Sequence, residues 1–210
     1  METTRTTDIR SGVQIEVISI IWMVIEMAVS IGAGIAARSI LLTAFGIDSL
    51  IELISGGILL WRLQVESRGG DVERVEQAEH RAEQIVAITL GMLCVYLFIS
   101  AVYSLIVRSK PETTLLGIGI SAAAVVIMPY LALVKRRVSN RIHSEALAGD
   151  AVESITCAYM AGTVLIGLLL NTIFGWWWAE HIAALVFLFW LGRETLEAFE
   201  EARSESKEIK

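Results

Sequence analysis

Apolar residues come in six long runs, at roughly 14–36, 40–63, 84–107, 114–134, 149–171 and 178–197, with short polar or charged breaks between them. A helix crosses a hydrocarbon core with about 20 residues. In lipid the backbone must also satisfy its own N–H and C=O groups, so helix is the predicted form of every run. The predicted fold class is all-α: a polytopic membrane protein with six transmembrane helices. The expected organisation is a polar N-terminal segment over 1–13, a six-helix transmembrane domain over 14–199, and a short acidic tail over 200–210 with no further C-terminal domain. The two sizeable connections, 64–83 with its Gly69-Gly70 breaker and 135–148, are rich in charge. The opening METTRTTDIRSG is polar and leads straight into a full-length run without a small-residue cleavage site, so the first helix is expected to stay in the mature protein.

Composition supports lipid as the solvent: 55% of the 210 residues are hydrophobic and the mean hydropathy is +0.63. The net charge of −6 arises mainly from the stretches 66–83 and 197–210, a pattern that argues against a nucleic-acid partner. Cys94 and Cys157 both fall inside apolar runs, where a thiol is a small hydrophobe and no disulfide framework can be read. Lys and Arg fix the expected orientation. With the N-terminus inside, only Arg38, Arg108 and Lys110 of the 17 basic residues face outward. Both termini are therefore predicted to be cytoplasmic, with the Trp176–Trp178 cluster at the outer interface, where aromatic rings sit at headgroup level.

Carboxylates within membrane helices cost about 2.5 to 3.5 kcal/mol each on insertion scales and so mark an ion path or a relay. In AFGIDSLIELISG, Asp48 and Glu52 stand four apart on one helix face. In GDAVESITCAYMAGTVLIG, Asp150, Glu153 and Cys157 follow at intervals of three and four, again on one face. If the two faces meet, Asp48, Glu52, Glu153 and Cys157 can enclose a four-coordinate divalent cation, since carboxylate and thiolate are both competent ligands. The same spacing also suits a water-lined polar patch or a proton relay without metal. Asp150 reads either as a helix-start acid favoured by the dipole or as a group on the cation's access path. Glu16 is near enough to the interface to be solvated, whereas Glu26 is deep and should face the bundle; neither has an obvious partner in sequence. His80, His143 and His181 lie in connections or at a boundary and read as surface histidines.

These segments resemble the cation diffusion facilitator family of divalent-metal transporters. SILLTAFGIDSLIELISGG is similar to that family's second helix, with Asp48 and Glu52 at its two ligand positions. AEHRAE, with His80 to Glu83, resembles its link before the third helix. SNRIHSEALAGDAVESITCAYMAGTVLIG resembles its fifth helix and the basic link before it, and GWWWAEHIAALV the turn into its sixth. The fifth-helix ligands then fall on Glu153 and Cys157, where the family has His or Asp followed by Asp. The resemblance implies a divalent-metal exporter, a metal/proton antiporter of the plasma membrane that works as a homodimer. The divalent metal ion is its transported substrate, protons and the lipid bilayer are its partners, and it has neither prosthetic group nor enzymatic activity. A mixed carboxylate and thiolate set suits zinc first, cadmium and cobalt next, and manganese or iron(II) less. Cys157 is expected to contribute to proton exchange as well as to affinity. The family's histidine-rich loop and its cytoplasmic metal-binding domain have no counterpart in these residues. A dimer would then form through the membrane domain, where Gly32 and Ala36, or Gly117 and Ser121, permit close helix contact between or within subunits. Two other classes stay open: a membrane metal-binding or regulatory protein that does not transport, and a proton-coupled exporter of organic cations built on Glu26 and Trp22.

Overall fold

The computed structural model describes the backbone of residues 2–208 apart from 68–71, 109, 113 and 143–144; side chains at 2–10, 62, 66–87, 89, 142–146, 194, 198 and 201–208 are also outside the described set. The chain forms six helices: α1 (Glu2–Ala37), α2 (Ile40–Ser67), α3 (Val72–Val107), α4 (Leu115–Ile142), α5 (Glu145–Phe174) and α6 (Trp177–Glu208). Among the described residues there is no strand.

Every predicted apolar run lies within a helix, and every helix outlasts its run at the same end of the bundle, the end that carries both termini. Most of 64–83 and 135–148 is therefore helical rather than connecting loop. The reason is chemical: those stretches contain no proline and are filled with Glu, Gln, Arg and Lys, which are good helix formers once the backbone is in water. At the opposite end the turns are tight. α1 closes with Arg38 at φ 53°, where the Ser39 N–H bonds the Gly34 carbonyl at 2.8 Å, a Schellman-type stop. α5 stops at Gly175, with φ 65°, a conformation that suits a residue without Cβ.

Five helices hold stretches long and apolar enough to cross a membrane: Ser11–Ala37, Ile40–Val65, Leu90–Val107, Leu115–Arg141 and Leu147–Phe174. α6 opens on Glu180 and His181, which lower its average hydropathy, yet both are buried inside the protein. Its outward face carries Ile182, Val186 and Phe189, all exposed. The outer surface as a whole presents Ile18, Ile99, Tyr103, Ile106, Val126 and Ile166 in the same way, a coat far too apolar for water and suited to lipid tails. The protein is an integral membrane protein, an all-α polytopic bundle.

The sequence neighbours α1–α2, α2–α3, α4–α5 and α5–α6 pack antiparallel, α3 packs against α6 rather than α4, and α1 and α2 form the tightest pair. A Cβ on Gly34 would stand 2.7 Å from the Thr43 backbone nitrogen, and one on Gly46 would stand 2.8 Å from that of Ile31. Hydrogen at both positions lets the two backbones nearly touch. The small residues expected at the helix contacts are partly different ones: Gly32 has open space around it and Ala36 is exposed, whereas Gly117 packs within the chain against Leu42. Because an added methyl at Gly46 meets backbone, Gly46→Ala is expected to cost about 1 to 3 kcal/mol. The check is thermal unfolding in detergent; an unshifted midpoint would mean that the α1–α2 approach is not needed. Inside, Phe45, Leu97, Met160, Leu168 and Phe187 form the main core, and Leu59, Leu63, Val138 and Leu147 form a second, smaller cluster toward the termini.

Candidate functional site

Along α1 the buried face carries Glu16, Ser19, Glu26 and Ser30, spaced three, seven and four apart, so one side of an otherwise apolar helix is polar from end to end. The close α1–α2 contact at Gly46 lays this face against Asp48, Ser49 and Glu52 of α2. Glu26 sits at the junction. Its Oε1 accepts the Ser49 hydroxyl at 2.8 Å and the Cys157 thiol of α5 at 3.5 Å, while Oε2 accepts the Trp22 indole N–H at 2.7 Å. Glu26 and Cys157 are both fully buried. Three helices thus meet on one carboxylate.

Of the residues singled out from spacing, Cys157 touches this carboxylate, and Asp48 is the chain neighbour of its partner Ser49. Asp48 is 0% exposed and neither of its carboxylate oxygens has a hydrogen-bond partner. The carboxylates of Glu26 and Glu153 lie within electrostatic reach of it. Glu52 is buried one turn farther toward the termini, and Glu153 is half-buried on α5. Asp48 and Glu153, one from each acidic face, are thus near enough to interact electrostatically. The two faces do not close into a cage: among the described residues no three His, Cys, Asp or Glu side chains converge on a common point that could hold a metal ion. Glu26 is the member that spacing alone could not assign, because its partners Ser49 and Cys157 lie 23 and 131 residues away.

Toward the termini lies a second polar group. Lys135 of α4 is 1% exposed; its Nζ is 2.5 Å from Asp150 Oδ2, 3.5 Å from Glu16 Oε2 and 3.3 Å from the Ser154 hydroxyl. Lys135 therefore does not belong to a solvated basic link, and Glu16 is not solvated at an interface. Gly56 of α2 makes room for Glu16, since a Cβ there would come 2.7 Å from its Oε1. At the opposite end, Ser39 caps α2 through the Leu42 N–H at 3.1 Å and donates its hydroxyl to the buried Glu180. His181 is also buried, edge-on to Trp177, and is not a surface histidine. Trp176 and Trp178 are partly exposed and stacked, as suits an interface. His143 lies outside the described residues, as do the side chains of His80 to Glu83.

The bundle buries carboxylates of α1, α2 and α6 in its interior, and one of them, Glu26, accepts the thiol of α5. The family model of the cation efflux transmembrane domain matches residues 17–205. The chain belongs to the cation efflux family. Three relatives are consistent with this. An uncharacterized transporter of Synechocystis sp. is 24% identical over 182 residues, 82% of this chain and 59% of its own length. The cation-efflux pump FieF of Cronobacter sakazakii is 24% identical over 158 residues, 73% and 51%. That of Shewanella oneidensis is 26% identical over 89 residues, 42% and 30%. The chain spans about half the length of the curated relatives it matches, or less. The cation efflux match takes in all four residues chosen from spacing, Asp48, Glu52, Glu153 and Cys157, and also Glu26, Lys135, Asp150 and Glu180; Glu16 falls one residue before it. The family is one of transporters, not of enzymes.

Proposed function

We propose that this chain moves a divalent metal cation, zinc first among them, out of the cytoplasm in exchange for protons. Its ligands are Asp48, Glu52, Glu153 and Cys157, with Glu26 beside them. The observation that carries the reading is Asp48: a carboxylate with no hydrogen-bond partner, wholly buried, within electrostatic reach of two more carboxylates. Such a group is costly unless a cation or a proton compensates it, and alternation between the two is metal/proton antiport. The thiol of Cys157 favours the softer divalent ions, hence zinc, cadmium and cobalt over manganese and iron(II). The direction is carried over from the relatives named cation-efflux pumps. The distribution of Lys and Arg supports a cytoplasmic location for both termini, and the membrane we assign is the plasma membrane.

We further propose that the transporter is a homodimer joined through the membrane domain, and the exposed Gly32 and Ala36 of α1 offer a surface that a second helix can approach. On this reading Asp150 is an access-path group rather than a ligand, because it is engaged by Lys135.

The direct test of the site is zinc binding to the purified protein by equilibrium dialysis. Glu26→Gln keeps an oxygen for Ser49 but removes a negative charge from the centre, so binding is expected to weaken about tenfold, or ~1.4 kcal/mol. Unchanged affinity in Glu26→Gln would exclude Glu26 from the site. A wild type that binds no divalent cation would remove the metal reading altogether.

A further inference from the structure

The Glu16–Lys135–Asp150 group is not used by the cation site and is largely buried. It joins α1, α4 and α5, which have no covalent connection at this level except the α4–α5 link. Along α1 and α5 it lies on the termini side of the central carboxylates: Glu16 precedes Glu26, and Asp150 precedes Glu153 and Cys157. Beyond it, still nearer the termini, Leu59, Leu63, Val138 and Leu147 close over one another, with Val13 and Val134 against them. A cation passing between the termini end and Asp48 along the interface of α1, α2, α4 and α5 would have to part these helices at these layers. The apolar layer offers it no ligand, and the layer above already holds a fixed ammonium between two carboxylates. Breaking one partner from a buried ion pair is strongly unfavourable, whereas the intact group is close to neutral in its effect on stability. Such a group is therefore suited to holding two arrangements apart rather than to stabilising one fold.

We propose that Glu16, Lys135 and Asp150 form the gate at the termini end of the pathway: paired, as seen here, they seal Asp48 and Cys157 from that side, and separation of Lys135 from the two carboxylates opens the way. Lys135 occupies the place a passing cation needs, and once it swings aside Glu16 and Asp150 are left as oxygen ligands for that cation. The inference rests on the transport reading for its purpose, but the seal itself can be measured without transport.

Cys157, fully buried beyond the gate, is the reporter. With Cys94 replaced by Ala, Cys157 is the remaining thiol of the chain. The experiment measures its labelling by a membrane-impermeant methanethiosulfonate in oriented proteoliposomes, with reagent on one side at a time. Lys135→Met is expected to raise the rate from the termini side by about tenfold or more and to leave the rate from the opposite side within about twofold, while Lys135→Arg stays near wild type. Because Lys135→Met leaves two acids buried without their cation, the neutral variant Glu16→Gln, Lys135→Met, Asp150→Asn is measured beside it, and the same one-sided rise is expected. An unchanged rate, or a rise of equal size from both sides, in the variants that fold overturns the gate. Labelling does not depend on flux, so a chain that carries no cation can still show the one-sided rise; failure of the gate and failure of the transport reading are separate results.

Discussion

Replacing Asp48 by Asn is expected to abolish cation flux while leaving the protein as stable as before, or more so. The two effects have one cause. The Asp48 carboxylate makes no hydrogen bond in the folded protein, is wholly buried, and lies within electrostatic reach of Glu26 and Glu153. Its stability contribution is therefore unfavourable, and an amide of the same shape relieves it. Its functional contribution is the reverse, because an amide carries no charge to compensate that of a bound cation. Loss of even an outer partner of a metal ligand weakens binding 10- to 100-fold, and loss of a central carboxylate should cost at least about 100-fold in cation affinity. Flux and the thermal midpoint are to be measured on the same preparation. A variant that loses flux and also unfolds at much lower temperature would assign Asp48 a structural role and remove the observation on which the site rests.

Replacing Cys157 by Ser is expected to change which cation is preferred more than whether one is bound. The hydroxyl keeps a donor for Glu26 Oε1, so the hydrogen bond now made by the thiol at 3.5 Å has a successor of similar shape. A soft thiolate is lost from the centre, however, and a serine hydroxyl is a hard, poorly ionised ligand. Cadmium, which depends most on sulfur, should lose about 10- to 100-fold in affinity relative to manganese, and zinc an intermediate amount. The measurement is competition among cadmium, zinc, cobalt and manganese for wild type and variant. If the order of preference is the same in both, Cys157 packs beside the cation path and does not bind the cation.

Much of the fold was legible because lipid imposes strict rules. A run of about 20 apolar residues has few alternatives to a spanning helix; each of the six runs falls on a helix, and five of those helices are long and apolar enough to span. The helix ends at the termini side were not legible from hydropathy, because the criterion stops at the first charges while Glu, Arg and Gln continue the helix into water. The candidate site was partly legible: Asp48, Glu52, Glu153 and Cys157 show themselves by spacing on two helices. Glu26 did not, since its meaning depends on the α1–α2 approach set by Gly34 and Gly46, a packing fact. A signal was present all the same, in the polar residues at Glu16, Ser19, Glu26 and Ser30 that recur on one face of α1. Lys135 is the clearer case. Counted with Arg136 and Arg137 it looks like part of a basic, water-facing link. In helical register it continues the buried stripe Ala124, Met128, Leu131 and Val138, while Arg136 and Arg137 are exposed. A charge on an apolar stripe within a membrane helix needs a buried counter-charge, and Glu16 and Asp150 supply it.

The central claim is that a divalent cation and protons exchange through this bundle. It is tested most directly by reconstituting the chain into proteoliposomes that hold a pH-sensitive dye and offering zinc, cadmium, cobalt, manganese, iron(II) and an organic cation in turn. The account predicts that zinc, with cadmium or cobalt, crosses with an opposing proton flux and that the organic cation does not. Correctly inserted protein that moves none of these metals, or moves zinc with no proton response, would contradict it.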